Sequence, residues 1–156
     1  MGGMKRRHSP KGFSLVELLV VIALISIVSA LAVPTWQRYS AKTNLRAAAR
    51  EVMADISNAK QRAVEENLDV YRLAFNVAGN SYALTRTDTG VTLWTKSVAS
   101  FGNGISIASI NFSGGSVVSF QKRGTASMGN LVLRNGSGAT ATITVTITGR
   151  TYVQFT

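Results

Sequence analysis

The sequence contains no cysteine, and its 156 residues include one histidine, two prolines and seven acidic residues. Without cysteine there is no disulfide, so a folded domain needs an adequate apolar core, and there is no thiol nucleophile. The one histidine, His8, cannot make up a usual zinc ligand set by itself. Beyond Asp69 the only acid is Asp88, so the C-terminal half lacks paired carboxylates for acid–base catalysis. We therefore expect no enzyme activity, no metal and no cofactor.

The most informative segment is an apolar run of 21 residues from Phe13 to Val33. As a helix at about 1.5 Å per residue it would span about 31 Å, the thickness of a bilayer's hydrocarbon core. The 12 residues before it carry four cations and no acid, namely Lys5, Arg6, Arg7 and Lys11. The positive-inside rule predicts that this end stays in the cytoplasm and that the rest of the chain starts on the other side.

Glu17 lies inside the apolar run and separates three interpretations of this N-terminus. A secretory signal would have a shorter apolar region, of about 7 to 15 residues, before a small-residue site such as Ala30-Leu31-Ala32. A plain single-pass anchor accounts for everything except Glu17. Because an ionisable group within a membrane span costs about 2.5 to 3.5 kcal/mol, we expect the Glu17 carboxylate to have a partner.

The order Gly12-Phe13-Ser14-Leu15-Val16-Glu17, followed by a long aliphatic stretch, resembles the N-terminal signature of the bacterial type IV pilin and type II secretion pseudopilin superfamily. The resemblance implies that a prepilin peptidase cleaves between Gly12 and Phe13 and that the new Phe13 amine is N-methylated. It also implies that Glu17 pairs with the terminal amine of a neighbouring subunit, which favours one register between subunits. Pro34 falls where many members carry a helix-kinking proline.

Cleavage after Gly12 would remove His8 and four of the 17 cations, leaving 13 against seven acids, a net charge of +6. Beyond Asp88 the remaining cations meet no acid in the sequence: Lys96, Lys122, Arg123, Arg134 and Arg150. Spread over 68 residues, they fit ordinary solvated surface, and contact with phosphate, acidic protein or anionic lipid is the alternative.

The helix is predicted to continue past the membrane, because no glycine or proline occurs between Trp36 and Glu66. Apolar residues recur there at spacings of three or four: Leu45, Ala48, Val52, Ile56, Ala59 and Ala63. This is the stripe of an amphipathic helix that packs under a sheet. From Val70 the pattern changes to period two with Gly, Asn and Ser between short runs, which predicts antiparallel strands.

Several details of the strands are also predicted. A strand around Val91 to Val98 should bring Leu93 or Trp94 into the core, and the change of parity after Ile107 predicts a bulge or bend near Ala108. Gly114-Gly115 and Asn135-Gly136 are turn signals, the first for a hairpin. The alternation across residues 140–148 predicts one buried face: Ala141, Ile143, Val145 and Ile147.

The predicted fold is α+β and pilin-like, with a long N-terminal helix packed on an antiparallel β-sheet domain. The predicted divisions are a cleaved leader at 1–12, a transmembrane and assembly helix at 13–33, its amphipathic continuation at 34–66, and a β-rich globular part at 67–156. In this arrangement the protein crosses the bacterial inner membrane once, with the globular part in the periplasm, before it joins a pilus or pseudopilus.

Two short segments narrow the resemblance to the GspH/FimT group of minor pilins and pseudopilins: Phe120-Gln121-Lys122-Arg123-Gly124 and Gly149-Arg150-Thr151-Tyr152. This implies a structural subunit that helps initiate or cap a type IV pilus or a type II secretion pseudopilus, with other pilins or pseudopilins as partners. One alternative is a DNA-binding minor pilin for DNA uptake, with phosphate contacts from Lys122, Arg123, Arg134 and Arg150. The other is an ordinary membrane-anchored β-rich domain.

Overall fold

The structure is a computed structural model that describes residues 12–156. The expectations for residues 1–11 of the leader therefore lie outside the described residues. Within the described part the chain forms one long helix, eight strands and a short 3-10 helix at Val98–Phe101. The long helix is α1 (Leu15–Glu65) and the strands are β1 (Tyr71–Asn76), β2 (Ser81–Arg86), β3 (Thr92–Ser97), β4 (Ser106–Phe112), β5 (Val117–Ser119), β6 (Gly129–Arg134), β7 (Thr140–Val145) and β8 (Thr151–Phe155).

The chain divides into two compact units between Gln37 and Arg38. In the described part of the first unit, α1 carries the apolar run, and every side chain whose burial is described there is exposed. Pro34 lies inside this helix. Backbone hydrogen bonds hold a helix together without burial, but the exposed apolar side chains gain nothing from the protein itself.

The second unit, Arg38–Thr156, contains the core. The predicted helical stripe is confirmed, because all six of its members are buried: Leu45, Ala48, Val52, Ile56, Ala59 and Ala63. Three of the six are alanines, whose small side chains let the helix approach the sheets closely. The stripe packs with apolar residues from both sheets in one cluster, in which a buried Leu, Ile or Phe contributes about 1.5 to 3 kcal/mol.

The strands form two four-stranded antiparallel sheets. One has the order β3-β2-β1-β5 and the other β4-β6-β7-β8. The inward side chains alternate with exposed or half-buried ones, as on β1, where Tyr71, Leu73 and Phe75 are buried and Arg72 is exposed. The predicted α+β organisation of a long helix on antiparallel strands is confirmed.

Two local predictions are confirmed by the register and the hydrogen bonds. The pairing of β4 with β6 shifts between Ile107 and Ser109, so a bulge lies at Ala108 and lets both Ile107 and Phe112 face the core. The turn at Asn135 is held by its buried side chain. Its Oδ1 accepts hydrogen bonds from the backbone N–H of Ser137 at 3.1 Å and of Ala139 at 2.9 Å.

Gly114-Gly115 forms a tight turn, but the prediction that it joins a hairpin is wrong. Phe112 and Gly115 exchange two backbone hydrogen bonds, at 3.1 and 2.9 Å. The chain then crosses to the other sheet, where β5 pairs with β1 and Val118 lies opposite Leu73. The turn signal is local, whereas the pairing partner is set by which sheet can bury Val118.

Ile147 is 63% exposed, so the prediction that it belongs to the buried face is also wrong. β7 ends at Val145, and a turn follows in which Gly149 takes a positive φ of 68° and its N–H donates to the Thr146 carbonyl at 2.8 Å. The turn leads into β8, a strand that the sequence patterns did not predict. Of the two residues proposed for the core from β3, Trp94 packs against it and Leu93 is exposed.

Candidate functional site

The first candidate site is the N-terminal turn of α1. Ser14 lies just before the helix, and its Oγ accepts a hydrogen bond from the backbone N–H of Glu17 at 3.2 Å. The Ser14 carbonyl accepts one from the N–H of Leu18, also at 3.2 Å. Ser14 therefore acts as the N-cap, and with Glu17 three residues later it has the spacing of a capping box. This role of Ser14 was not predicted from the sequence, although the Ser-x-x-Glu spacing of a capping box is present there.

Capping fixes the local backbone from which Phe13 and Glu17 project. Phe13 is 86% exposed, and Glu17 is exposed as well. The ion pairs found among residues 12–156 join other side chains, so the Glu17 carboxylate has no cationic partner in that part of the chain. Its position in the first turn is favourable for a negative charge, because backbone N–H groups point toward that end.

The apolar run itself is the second element of this site. By length and composition, α1 is the one helix in the described part of the chain that could cross a membrane, and none of its most apolar stretch is buried. Its aliphatic side chains cover the helix on all sides, as with Leu15, Leu19, Ile22 and Val28. Such a surface is stable in lipid or against other apolar helices.

The predicted basic residues are only partly brought together. Lys122 and Arg123 are exposed in the loop after β5, and Arg150 is exposed in the turn between β7 and β8. These two loops touch, because the Ala126 N–H donates to the Ile147 carbonyl at 3.0 Å. Arg134 lies opposite Thr140, at the other end of β7, and five residues along a strand separate the two ends by about 17 Å.

Two further cations join the corner formed by these loops, and no local sequence pattern predicted them. Lys60 Nζ on α1 donates to the carbonyls of Thr148 at 3.2 Å and Gly149 at 3.5 Å. Arg72 lines a shallow depression together with Asp69, Lys122 and Arg123. Asp69 lies within this group and its Oδ1 accepts the Lys122 backbone N–H at 2.6 Å, so the corner is not purely basic.

A polar cluster links α1 to β2 and β3 in the second unit. Asp55 is 5% exposed, and its carboxylate accepts hydrogen bonds from the Tyr82 hydroxyl at 2.7 Å and from Lys96 Nζ at 2.8 Å. Lys96 also donates to Glu51 at 2.8 Å and lies 5.1 Å from the centre of the Trp94 ring. We call Asp55, Glu51, Tyr82 and Lys96 the ionic clasp. The ionic clasp could have been predicted from the sequence, because an acid, Asp55, lies on the apolar stripe of the helix.

The environment of the clasp shifts two pKa values. Burial and the hydrogen bond to Asp55 raise the pKa of Tyr82 far above its usual range. Desolvation lowers the pKa of Lys96, but the hydrogen bonds to Asp55 and Glu51 outweigh it, and the net shift of the pKa is upward. Both shifts favour the proton-bound forms that make the clasp. No cluster of His, Cys, Asp or Glu within residues 12–156 could hold a metal ion.

A helix with an exposed apolar first part, whose amphipathic second part packs on antiparallel sheets, defines a pilin-like protein. Residues 7–33 match the family model for the prokaryotic N-terminal methylation motif, and residues 48–149 match the model for the type II transport protein GspH. The chain therefore belongs to the GspH family.

Solved structures show the same fold. The type IV minor pilin FimU of Pseudomonas aeruginosa superposes with a TM-score of 0.58 at 14% identity, covering 74% of this chain and 92% of FimU. A second crystal form of FimU gives a TM-score of 0.54 at 15% identity, covering 70% and 92% of the two chains.

Curated relatives match over shorter stretches. A fimbrial protein of Pseudomonas aeruginosa is 40% identical over 60 residues, which is 38% of each chain. The type IV major alpha-pilin of Moraxella bovis is 40% identical over 47 residues, which is 30% of each chain. The chain thus spans less than two fifths of the length of these relatives.

The predicted pilin-like fold and the GspH-like membership are both confirmed by these findings. The methylation motif and the GspH model place the chain among the pilin-like proteins. The methylation motif and the apolar helix indicate a membrane-anchored pilin, and the family is a structural one.

Proposed function

We propose that this chain is a subunit that helps initiate or cap the assembly of a type IV pilus or a type II secretion pseudopilus. The observation that carries the proposal is the exposed apolar run of α1, which begins with a capped turn presenting Phe13 and Glu17. A globular protein does not leave so many aliphatic side chains uncovered, because each loses burial energy. The run therefore belongs in a bilayer before assembly and against neighbouring apolar helices afterwards.

We propose that a prepilin peptidase cleaves between Gly12 and Phe13 and that the Phe13 amine is then methylated. Gly12 is the supporting observation, because a Cβ built there would meet no atom of the described residues 12–156 within 4 Å. The fold of the chain therefore does not require glycine at this position, and a requirement for a small residue would come from the enzyme that reads it. The N-terminal side would face the cytoplasm and residues 38–156 the periplasm.

We propose that Glu17 positions the subunit during assembly. Its carboxylate has no cationic partner among residues 12–156, and it would enter an apolar environment of packed helices. An unpaired carboxylate is costly there, whereas one paired with the terminal amine of a neighbouring subunit is tolerated. Only one axial register brings the two charges together, so the pair selects that register. We also propose that Pro34, which lacks a backbone N–H, bends α1.

The proposal is tested by the intact mass of the N-terminal peptide from protein expressed in its membrane. We expect a chain that begins at N-methyl-Phe13. The variant Gly12→Val should keep its leader and leave the thermal stability unchanged, because the fold has space for the side chain. A wild-type chain that begins at Met1, at Met4 or after Ala32 would overturn the proposal, and normal processing of Gly12→Val would refute the assigned cleavage site.

Assembly is preferred over DNA uptake as the function. The corner near Gly149 has an acid, Asp69, among its cations, and Arg134 lies at the far end of the sheet. The cations of the corner are Lys60, Arg72, Lys122, Arg123 and Arg150. Binding to a nucleic-acid backbone depends on several cations acting on neighbouring phosphates, and its salt dependence grows with their number. The comparisons give no support to the DNA-binding alternative.

A further inference from the structure

The part of α1 that follows the apolar run carries a regular series of cations. Arg38, Lys42, Arg46 and Arg50 are spaced four residues apart, and the sequence has no acid between Glu17 and Glu51. All four side chains are exposed. Residues four apart lie on the same side of a helix, so these cations form one surface, which we call the basic stripe.

The stripe differs from an ordinary solvated helix face in its lack of acidic partners. Elsewhere in residues 12–156, Arg86 pairs with Asp88 and Lys96 pairs with Asp55. None of the ion pairs in this part of the chain includes a member of the stripe. Four neighbouring cations without counter-charges repel one another, and an anionic surface would relieve that repulsion.

Two aromatic residues flank Arg38 at the start of the stripe. Trp36 is 72% exposed and Tyr39 is 66% exposed. Such rings are enriched where a membrane-spanning helix leaves the hydrocarbon, because they are apolar with a polar edge. Along the chain, aliphatic residues are therefore followed by a segment that is both aromatic and basic, as expected where a helix passes from the hydrocarbon core into an anionic headgroup layer.

The stripe also works against the expected orientation of the helix. Residues 1–12 contain four cations and residues 34–50 contain four more, so the two ends of the apolar run are equal in Lys and Arg. The positive-inside rule disfavours cations on the exported side. Charges that do not assist insertion require another explanation, and attraction to lipid headgroups supplies one.

We propose that the basic stripe binds anionic phospholipid headgroups of the leaflet nearer the globular unit while the subunit is in the membrane. This inference rests on the proposed function as a membrane-anchored pilin. In the sequence, Arg38 and Lys42 follow Val33 by five and nine residues, whereas Arg46 and Arg50 follow it by 13 and 17 residues. The headgroup layer is about 5 to 8 Å thick, and salt screens charges beyond about 8 Å. Arg38 and Lys42 thus make the main contacts.

Arg46 also contacts an aromatic ring of the β-rich part. Its guanidinium lies over the ring of Phe155 on β8, with 5.6 Å to the ring centre. Arg46 therefore contacts β8. Lys42 lines the same depression as Arg46 and Phe155, and Arg38 precedes both cations in the sequence. The pair Arg46 and Arg50 provides a control in which the same two charges are removed farther from Val33.

Fluorescence quenching in vesicles tests the proposal with the full chain. The sequence has two tryptophans, so a Trp94→Phe background leaves Trp36 as the reporter. Trp36 lies between the apolar run and Arg38 in the sequence, so its fluorescence reports on the leaflet next to the stripe. At equal mole fraction, phosphatidylglycerol with brominated acyl chains should quench Trp36 more than brominated phosphatidylcholine. We expect phosphatidylglycerol to be enriched next to the stripe by up to about fivefold per contacting cation, and this enrichment should fall as salt is raised.

Two matched double variants decide the assignment. Arg38→Gln with Lys42→Gln should abolish the excess quenching, whereas Arg46→Gln with Arg50→Gln should retain most of it, and circular dichroism checks that both fold. Absence of excess quenching in the parent chain, or equal losses in both variants, would overturn the proposal. If the substitutions in the stripe changed only incorporation into filaments, the stripe would bind acidic residues of a neighbouring subunit instead of lipid. A chain that does not float with vesicles would refute the membrane anchor itself.

Discussion

The proposed role of Glu17 in assembly can be tested separately from membrane insertion and cleavage. The variant Glu17→Gln keeps the shape of the side chain and removes its charge, so membrane insertion and cleavage after Gly12 should continue. Leaving one member of a buried ion pair without its partner costs about 3 to 5 kcal/mol. We therefore expect incorporation into filaments, measured as the ratio of filament to membrane protein, to fall by at least about tenfold.

The matched control is Glu65→Gln, which removes the same charge from an exposed position at the end of α1. It should leave incorporation within about twofold of wild type, because an exposed charge contributes less than about 1 kcal/mol. Equal incorporation of Glu17→Gln and wild-type protein would contradict the role of Glu17 in subunit register.

At the scale of elements, the ionic clasp joins the helix to the sheet that contains β2 and β3. Asp55→Ala would leave the buried Tyr82 hydroxyl without its acceptor and Lys96 without one of its two carboxylates. An unsatisfied buried polar group costs about 1 to 3 kcal/mol, so the free energy of unfolding should fall by that amount in urea titrations. The control Asp88→Asn breaks the exposed pair with Arg86 and should cost less than about 1 kcal/mol. Similar losses in both variants would contradict the importance of the clasp.

The clasp also predicts how stability depends on pH. The pKa values of Tyr82 and Lys96 are both raised in the folded state, so folded protein keeps protons that the unfolded chain releases above about pH 10. A raised pKa contributes stability that is complete below the unfolded pKa and is lost as the pH rises toward the folded value. We expect the unfolding midpoint in urea to decrease steadily above pH 10, and Tyr82→Phe to make the decrease shallower. A midpoint independent of pH between 9 and 11 would contradict this assignment.

Elements that follow from neighbouring residues were predictable, and those that depend on distant pairing were not. The helical stripe from Leu45 to Ala63 and the bulge at Ala108 follow from periodicity, which is a property of the local chain. The pairing of β5 with β1 depends on which of two sheets can bury Val118, and no pattern around Gly114 contains that information. The same holds for the approach of Lys60 to the turn at Gly149.

In the candidate site, the assignment of Phe13 and Glu17 comes from a local sequence pattern, and their roles stay predictions. Both side chains are exposed. No acid follows Asp88 in the sequence, yet Asp69 lies 53 residues before Lys122 and accepts its N–H. Charge along a sequence therefore did not predict charge on the surface.

On the scale of the whole molecule, the two units obey different physical requirements. The first unit exposes its apolar side chains and needs a membrane or a neighbouring helix, whereas the second buries a continuous cluster of its own. All members of that cluster, from Leu45 to Val145, belong to residues 38–156. Stability of the second unit should therefore not depend on the apolar run.

The resulting prediction is that residues 38–156 expressed alone form a soluble, monomeric, folded protein. We expect a single cooperative unfolding transition, since a unit of this size with one core usually unfolds in two states, and a single monomer peak in gel filtration without detergent. Ile143→Ala, which removes a fully buried side chain from β7, should lower the free energy of unfolding by about 2 to 5 kcal/mol. The exposed Ile147→Ala should change it by less than about 0.5 kcal/mol. Aggregation of the wild-type fragment, or equal effects of the two substitutions, would mean that the core of the second unit is completed by the part of the chain that was removed.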